Sequence, residues 1–178
     1  MRWFWIDRFD EFVRGKHAVT VKNVTFGEEP LDDYMMGQPN YPHSLVIEGM
    51  AQTGGLLIAE PSGFEKRVVL AKIGKAIFHR QALPGDQLRL QADIQDVQDS
   101  GAVVAGSVTI NGELMADIEL WFAFLGDRFG QGSLFPPAEF LRVLRVLRLY
   151  DVAVDESGNR ISPPEAFLAA ERAEFASA

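Results

Sequence analysis

From Leu45 to Glu60 the chain reads LVIEGMAQTGGLLIAE, an apolar stretch long enough for about four helical turns. Its hydrophobic residues fall on nearly every side of that helix, which predicts a buried element rather than a surface one. Gly49, Gly54 and Gly55 each cost roughly 1 kcal/mol against alanine in a helix interior. Glycine at those positions predicts that another backbone packs very close.

Elsewhere the first two-thirds of the chain carries the period of strands. HAVTVKNVTF, His17 to Phe26, is β-branched and partly alternating. Val68 to Phe78 reads as a second strand, followed by a turn at Pro84-Gly85-Asp86. Leu88, Leu90, Ala92 and Ile94 then alternate with Arg89, Gln91, Asp93 and Gln95, the mark of a half-buried strand. Ala102 to Ile110 and Glu113 to Phe124 flank Asn111-Gly112, a strong two-residue hairpin signal. One buried helix with several antiparallel strands predicts an α+β fold in which the helix lies against one sheet face.

The character changes after Gly126. The glycine-rich stretch from Arg128 to Leu134 reads as a linker, dividing a domain over residues 1–126 from a helical extension over 127–178. Pro136 to Tyr150 has an amphipathic pattern with Phe140, Leu144 and Leu147 on one side. Arg142, Arg145 and Arg148 form an outward stripe, because three-residue steps drift only slowly around a helix. That stripe reads either as a docking face for an acidic carrier protein or as a plain solvated face. A second short helix is expected from Ser162, where Ser162-Pro163-Pro164-Glu165 has the capping-box form.

Composition narrows the function classes. In 178 residues, 17 Lys and Arg against 25 Asp and Glu give a net charge of −8, a poor basis for binding the phosphates of nucleic acid. The absence of cysteine removes disulfides, a catalytic thiol and any Cys-based metal site. His17, His43 and His79 are too widely spaced to suggest a multi-His metal centre, and no cofactor is implied. No apolar run approaches the roughly 18 residues of a membrane span, and charge appears too early for a signal peptide. A cytoplasmic location is expected.

Glu48 is the residue richest in chemical implication. It is an acid near the start of a helix whose neighbours are almost all apolar, where desolvation favours a protonated general acid. The helix dipole pulls the other way. Gln52 follows one turn later on the same face, in reach of the carboxyl group. The plainer reading is an exposed first-turn Glu that complements the dipole. Upstream, Tyr34-Met35-Met36-Gly37-Gln38-Pro39-Asn40-Tyr41-Pro42-His43-Ser44 is a shaped loop feeding the helix. His43 is a candidate base or simply a solvent-facing loop histidine. Tyr34 is a candidate donor or ligand anchor, or a packing residue.

These residues together resemble the signature of the 3-hydroxyacyl-acyl-carrier-protein dehydratases, which have the hot-dog fold. That family runs His-Phe-Pro-Gly-x-Pro-x-x-Pro-Gly, four mostly apolar residues, Glu, and a segment ending in Ala-Gln. Gly37, Pro39, Pro42, Glu48, Ala51 and Gln52 match it without a gap. Asp7-Arg8, Val21-Lys22-Asn23-Val24-Thr25, Ala76-Ile77-Phe78-His79-Arg80 and Pro84-Gly85-Asp86-Gln87 resemble further family segments in the same order. The resemblance covers about residues 3 to 125 and leaves the extension outside it.

It implies an antiparallel sheet wrapped around a long central helix, and an acyl substrate carried on acyl-carrier protein or coenzyme A. It implies a homodimer in which one subunit's base meets the other's acid. Glu48 takes the acid's place, with Gly37, Pro42, Gln52, Phe78 and Arg80 implied around the substrate. The family's catalytic His falls on Tyr34, its Phe-Pro on Met35-Met36, and the glycine whose N–H holds the thioester carbonyl on His43. Three functions follow as expectations: a dehydratase with weakened or rearranged chemistry in which His43 replaces the lost base, a non-catalytic acyl-thioester binding subunit, or a hot-dog thioesterase.

Overall fold

The chain is described here by a computed structural model covering residues 4–28, 39–126 and 135–176. The expected linker and the loop bearing Tyr34 and Gly37 lie outside those residues. In chain order the elements are β1 (Arg8–Val13), β2 (His17–Asn23), α1 (His43–Ala59), β3 (Arg67–Phe78), β4 (Gln87–Gln98), β5 (Gly101–Ile110) and β6 (Glu113–Leu125). The extension adds α2 (Pro137–Val146), α3 (Leu149–Val152), β7 (Ala153–Val154) and α4 (Glu165–Ala176).

The strands form one sheet in the order β3-β6-β5-β4-β2-β1-β7. Every pairing is antiparallel except β1 with β7. The Asn111-Gly112 hairpin forms as read, with φ of 53° and 81°, the two positive angles a tight primed turn requires. Neither β1 nor β7 was anticipated. RFDEFV has little alternation of its own, and a two-residue strand is defined only by its partner.

Helix α1 is buried against the sheet. Val46, Met50 and Leu57 are at most 1% exposed and share a core with Leu90, Val104 and Leu120. A polar link to the sheet is Thr53, whose hydroxyl reaches Thr20 Oγ1 at 2.6 Å and donates to the Gly49 carbonyl. Only one of the three helical glycines meets backbone: a Cβ on Gly49 would stand 3.0 Å from the Trp5 carbonyl oxygen. Gly54 and Gly55 face the ring of Phe122 instead.

The extension departs from the expected layout. The helix expected over Pro136 to Tyr150 stops at Val146, because Arg148 takes φ 58°, and a single turn follows. The second helix starts at Glu165, not Ser162. Pro164 restricts Pro163 to extended backbone, so the helix begins only beyond the proline pair. The arginine stripe is not a free face. Arg142 donates two hydrogen bonds to Glu174 Oε2 at 2.9 Å, and Arg145 pairs with Glu171, both acids on α4. Arg148 sits in the left-handed break, off the helix.

The extension is also tied into the sheet. Phe9 N–H donates to the Leu147 carbonyl at 2.7 Å, and β7 covers the outer edge of β1. Leu141, Leu144 and Leu149 are fully buried in the same apolar core as α1.

Candidate active site

The first helical residue of α1 is His43, with Pro42 as N-cap in extended backbone. The first N–H groups of a helix have no partner within it, so the His43 N–H stands at the positive end of the dipole. His43 is not among the residues with positive φ, so a side chain replaces the family's glycine there without backbone strain. The imidazole stacks flat on Phe78, with centroids 3.8 Å apart and planes 2° apart. Its Nε2 is buried with no hydrogen-bond partner among the described residues. Burial holds the imidazole below the usual histidine range, against an opposing hydrogen bond with Gln81, and so favours the neutral ring.

Glu48 lies in the second turn of α1, not the first, and is half-buried. Gln52 Nε2 donates to its Oε1 at 3.0 Å. The Gln52 carbonyl oxygen accepts the Trp5 backbone N–H at 2.8 Å, which fixes which end of the amide faces the acid.

Both residues open onto a cleft of about 590 Å³. One stripe of α1 forms its floor: Glu48, Ala51, Gln52, Gly55, Leu56 and Ala59 recur at steps of three and one, the spacing of one helix face. Phe4, Val68, Leu70 and Phe122 continue the lining. At the Ala59 end it is bounded by Phe64 and by Phe135, Glu139 and Phe140 from the extension, with Lys66 and Arg67 beside them.

Five steps along a helix turn a residue about 140° and advance it ~7.5 Å, so His43 and Glu48 do not share a face. The structure thus brings Glu48 and Gln52 together in the cleft, and Pro42, His43 and Phe78 together at the start of α1. Arg80 lies apart from both, donating to Glu113 Oε2 at 3.0 Å on the exposed surface. Gly55, Leu56 and Ala59 were legible as the continuation of the Glu48 face. The aromatic wall from the extension was not, since nothing local shows which side of α2 meets α1. Among the described residues no cluster of His, Asp and Glu could hold a metal ion.

The fold and the cleft define the class, and comparison with known proteins agrees. The FabA-like domain family matches residues 4–119. The chain belongs to that family. The 3-hydroxyacyl-acyl-carrier-protein dehydratase FabZ of Clostridium acetobutylicum is 36% identical over 118 residues, covering 66% of this chain and 84% of the relative. The FabZ of Thermomicrobium roseum is 37% identical over 121 residues, covering 67% and 81%. Among solved structures, the dehydratase heterocomplex ApeI:P of Xenorhabdus doucetiae superposes with a TM-score of 0.57 at 14% identity, covering 70% of this chain and 84% of that one. A Streptococcus mutans protein bound to acetyl-CoA does so at 0.57 and 17%, covering 71% and 94%. These neighbours establish the hot-dog fold.

Proposed function

We propose that the chain is a hydro-lyase acting on 3-hydroxyacyl thioesters of acyl-carrier protein or coenzyme A, as its FabZ relatives are named for doing on the carrier protein. The observation that carries this reading is Glu48, oriented by Gln52 at the head of an apolar cleft on the central helix. Loss of water removes a proton from C2 and expels hydroxide from C3, giving the enoyl thioester. Glu48 supplies the proton that turns the departing hydroxide into water. Within one chain His43 and Glu48 lie on different faces of α1, so the N–H that holds the developing enolate oxygen is that of the partner subunit's His43 in the homodimer. Tyr34 falls on the family's base position and a neutral phenol is a poor base at pH 7, so the C2 proton passes to solvent water and the step is slow.

The second reading is a non-catalytic acyl-thioester binding subunit. It is favoured by the His43 imidazole, which lies flat on Phe78 rather than on the helix face that carries Glu48.

A homodimer is part of the proposal. β3 is a twelve-residue edge strand exposing Leu70, Ile73 and Ile77, beside half-exposed Trp121, whereas β7 covers the opposite edge of the sheet. A long apolar edge invites pairing with a second chain. The division into a domain at 1–126 and an extension at 127–178, with Gly37, Pro42 and Phe78 around the substrate and a cytoplasmic location, belongs to the same proposal. Among the described residues no helix is long and apolar enough to cross a membrane.

The test is hydration of a short enoyl-CoA, followed by loss of its ultraviolet absorbance, for wild type, Tyr34→His, His43→Ala and Glu48→Gln. The proposal expects slow turnover abolished by Glu48→Gln and raised by Tyr34→His, which restores part of the 10²–10⁴-fold a positioned base contributes, about 3–5 kcal/mol of barrier. A brisk wild type abolished by His43→Ala makes His43 the base. A silent set that still binds acyl thioester establishes the binding subunit.

A further inference from the structure

At its Ala59 end the cleft is lined by Phe64 and, from outside the family match, by Phe135 and Phe140. The floor runs along α1 from Glu48 to Ala59, about 16 Å at ~1.5 Å per residue. Past Ala59 stand Phe64, Phe135 and Phe140. Phe135 stacks on Phe140 with centroids 4.8 Å apart, and Phe140 meets Phe64 edge-on at 5.2 Å. Phe167 of α4 backs both, at 6.0 Å from Phe140 and 5.8 Å from Phe64.

The wall is held firmly. Phe140 is 7% exposed, and Leu141 and Leu144 anchor its helix in the core. Phe64 takes φ 65°, a conformation bulky residues rarely adopt, and it persists here under the packing of Phe140 and Phe167. The exposed Lys66 and Glu139 stand at the rim.

We propose that the extension is a ruler for the acyl chain: Phe135 and Phe140, packed with Phe64 of the domain, stop a linear apolar tail that starts from a head group at Glu48. The inference rests on the acyl-thioester reading of the site. The floor accommodates about thirteen carbons, because C–C bonds of ~1.5 Å advance only about 1.25 Å each in an extended zigzag. A longer tail must bend out of the cleft or displace Phe140, which is packed on three rings.

The experiment measures binding of saturated acyl-CoAs of increasing even length to the full chain, with n-alkyl alcohols of the same lengths in parallel. Wild type is expected to gain about fourfold in affinity per added methylene, then level off or weaken beyond the limit. Phe135→Ala, at a half-exposed ring that folding tolerates, and Phe140→Leu, which keeps an apolar core residue, should each move the break at least one even-numbered step longer. Affinity that rises without a break, or a break unmoved in both variants, overturns the ruler while leaving the thioester reading in place. A break seen with alcohols but no binding of any acyl-CoA keeps the ruler and overturns the thioester reading. No binding of either series overturns both.

Discussion

Gln52 donates from its side-chain amide to Glu48, one turn before it on α1, at 3.0 Å, and does so because the Trp5 backbone N–H occupies its carbonyl end. The N-terminal segment thereby sets the orientation of the amide beside the acid. Replacing the amide by a carboxylate keeps the acceptor for Trp5 and destroys the donor to Glu48. Gln52→Glu should cost about 1–3 kcal/mol of stability, because the donor facing Glu48 becomes an acceptor. Denaturant midpoints of the two proteins measure it.

Glu60 is 1% exposed and is held by Arg14, which reaches its two oxygens at 2.8 and 2.7 Å. Arg14 is 40% exposed, so the two partners are not equivalent. Arg14→Met strands a buried charge and should cost about 3 kcal/mol, whereas Glu60→Gln leaves a cation with access to water and should cost less. The double variant should regain part of the loss. Urea titrations of the four proteins give the ordering.

His43 supplies a pH dependence of known sign. Burial lowers its folded pKa, so the unfolded chain binds the proton more readily below about pH 6.5. Its contribution is fully present above that pH and is lost as pH falls through 6.5 toward the folded value. His43→Gln should flatten the stability profile between pH 7.5 and 5, read from denaturant midpoints.

The helical glycines separate two physical reasons for the residue. A Cβ on Gly55 meets only Phe122 Cε1 at 3.6 Å, an ordinary contact, so Gly55→Ala should stabilise by up to about 1 kcal/mol. On Gly49 the new atom faces the Trp5 carbonyl oxygen at 3.0 Å, and Gly49→Ala should destabilise by about 1–3 kcal/mol. Thermal melts of the two variants test the contrast.

Local pattern sufficed for much of this protein. The apolar run over Leu45–Glu60 predicted the central helix to within two residues of its observed start, and the alternation of Leu88 to Gln95 placed β4. Asn111-Gly112 declared its hairpin because the positive φ angles it needs are a property of those residues alone. Glu48 and Gln52 could be paired from helical spacing. What tertiary structure decided was everything set by a partner. β7 is a strand only because β1 lies beside it, and Arg142 and Arg145 are covered because α4 folds back with Glu174 and Glu171. Phe140 joins the cleft because Phe64 and Phe167 flank it. Spacing along the chain encodes which residues share a face, whereas which face meets which depends on contacts between residues far apart in sequence.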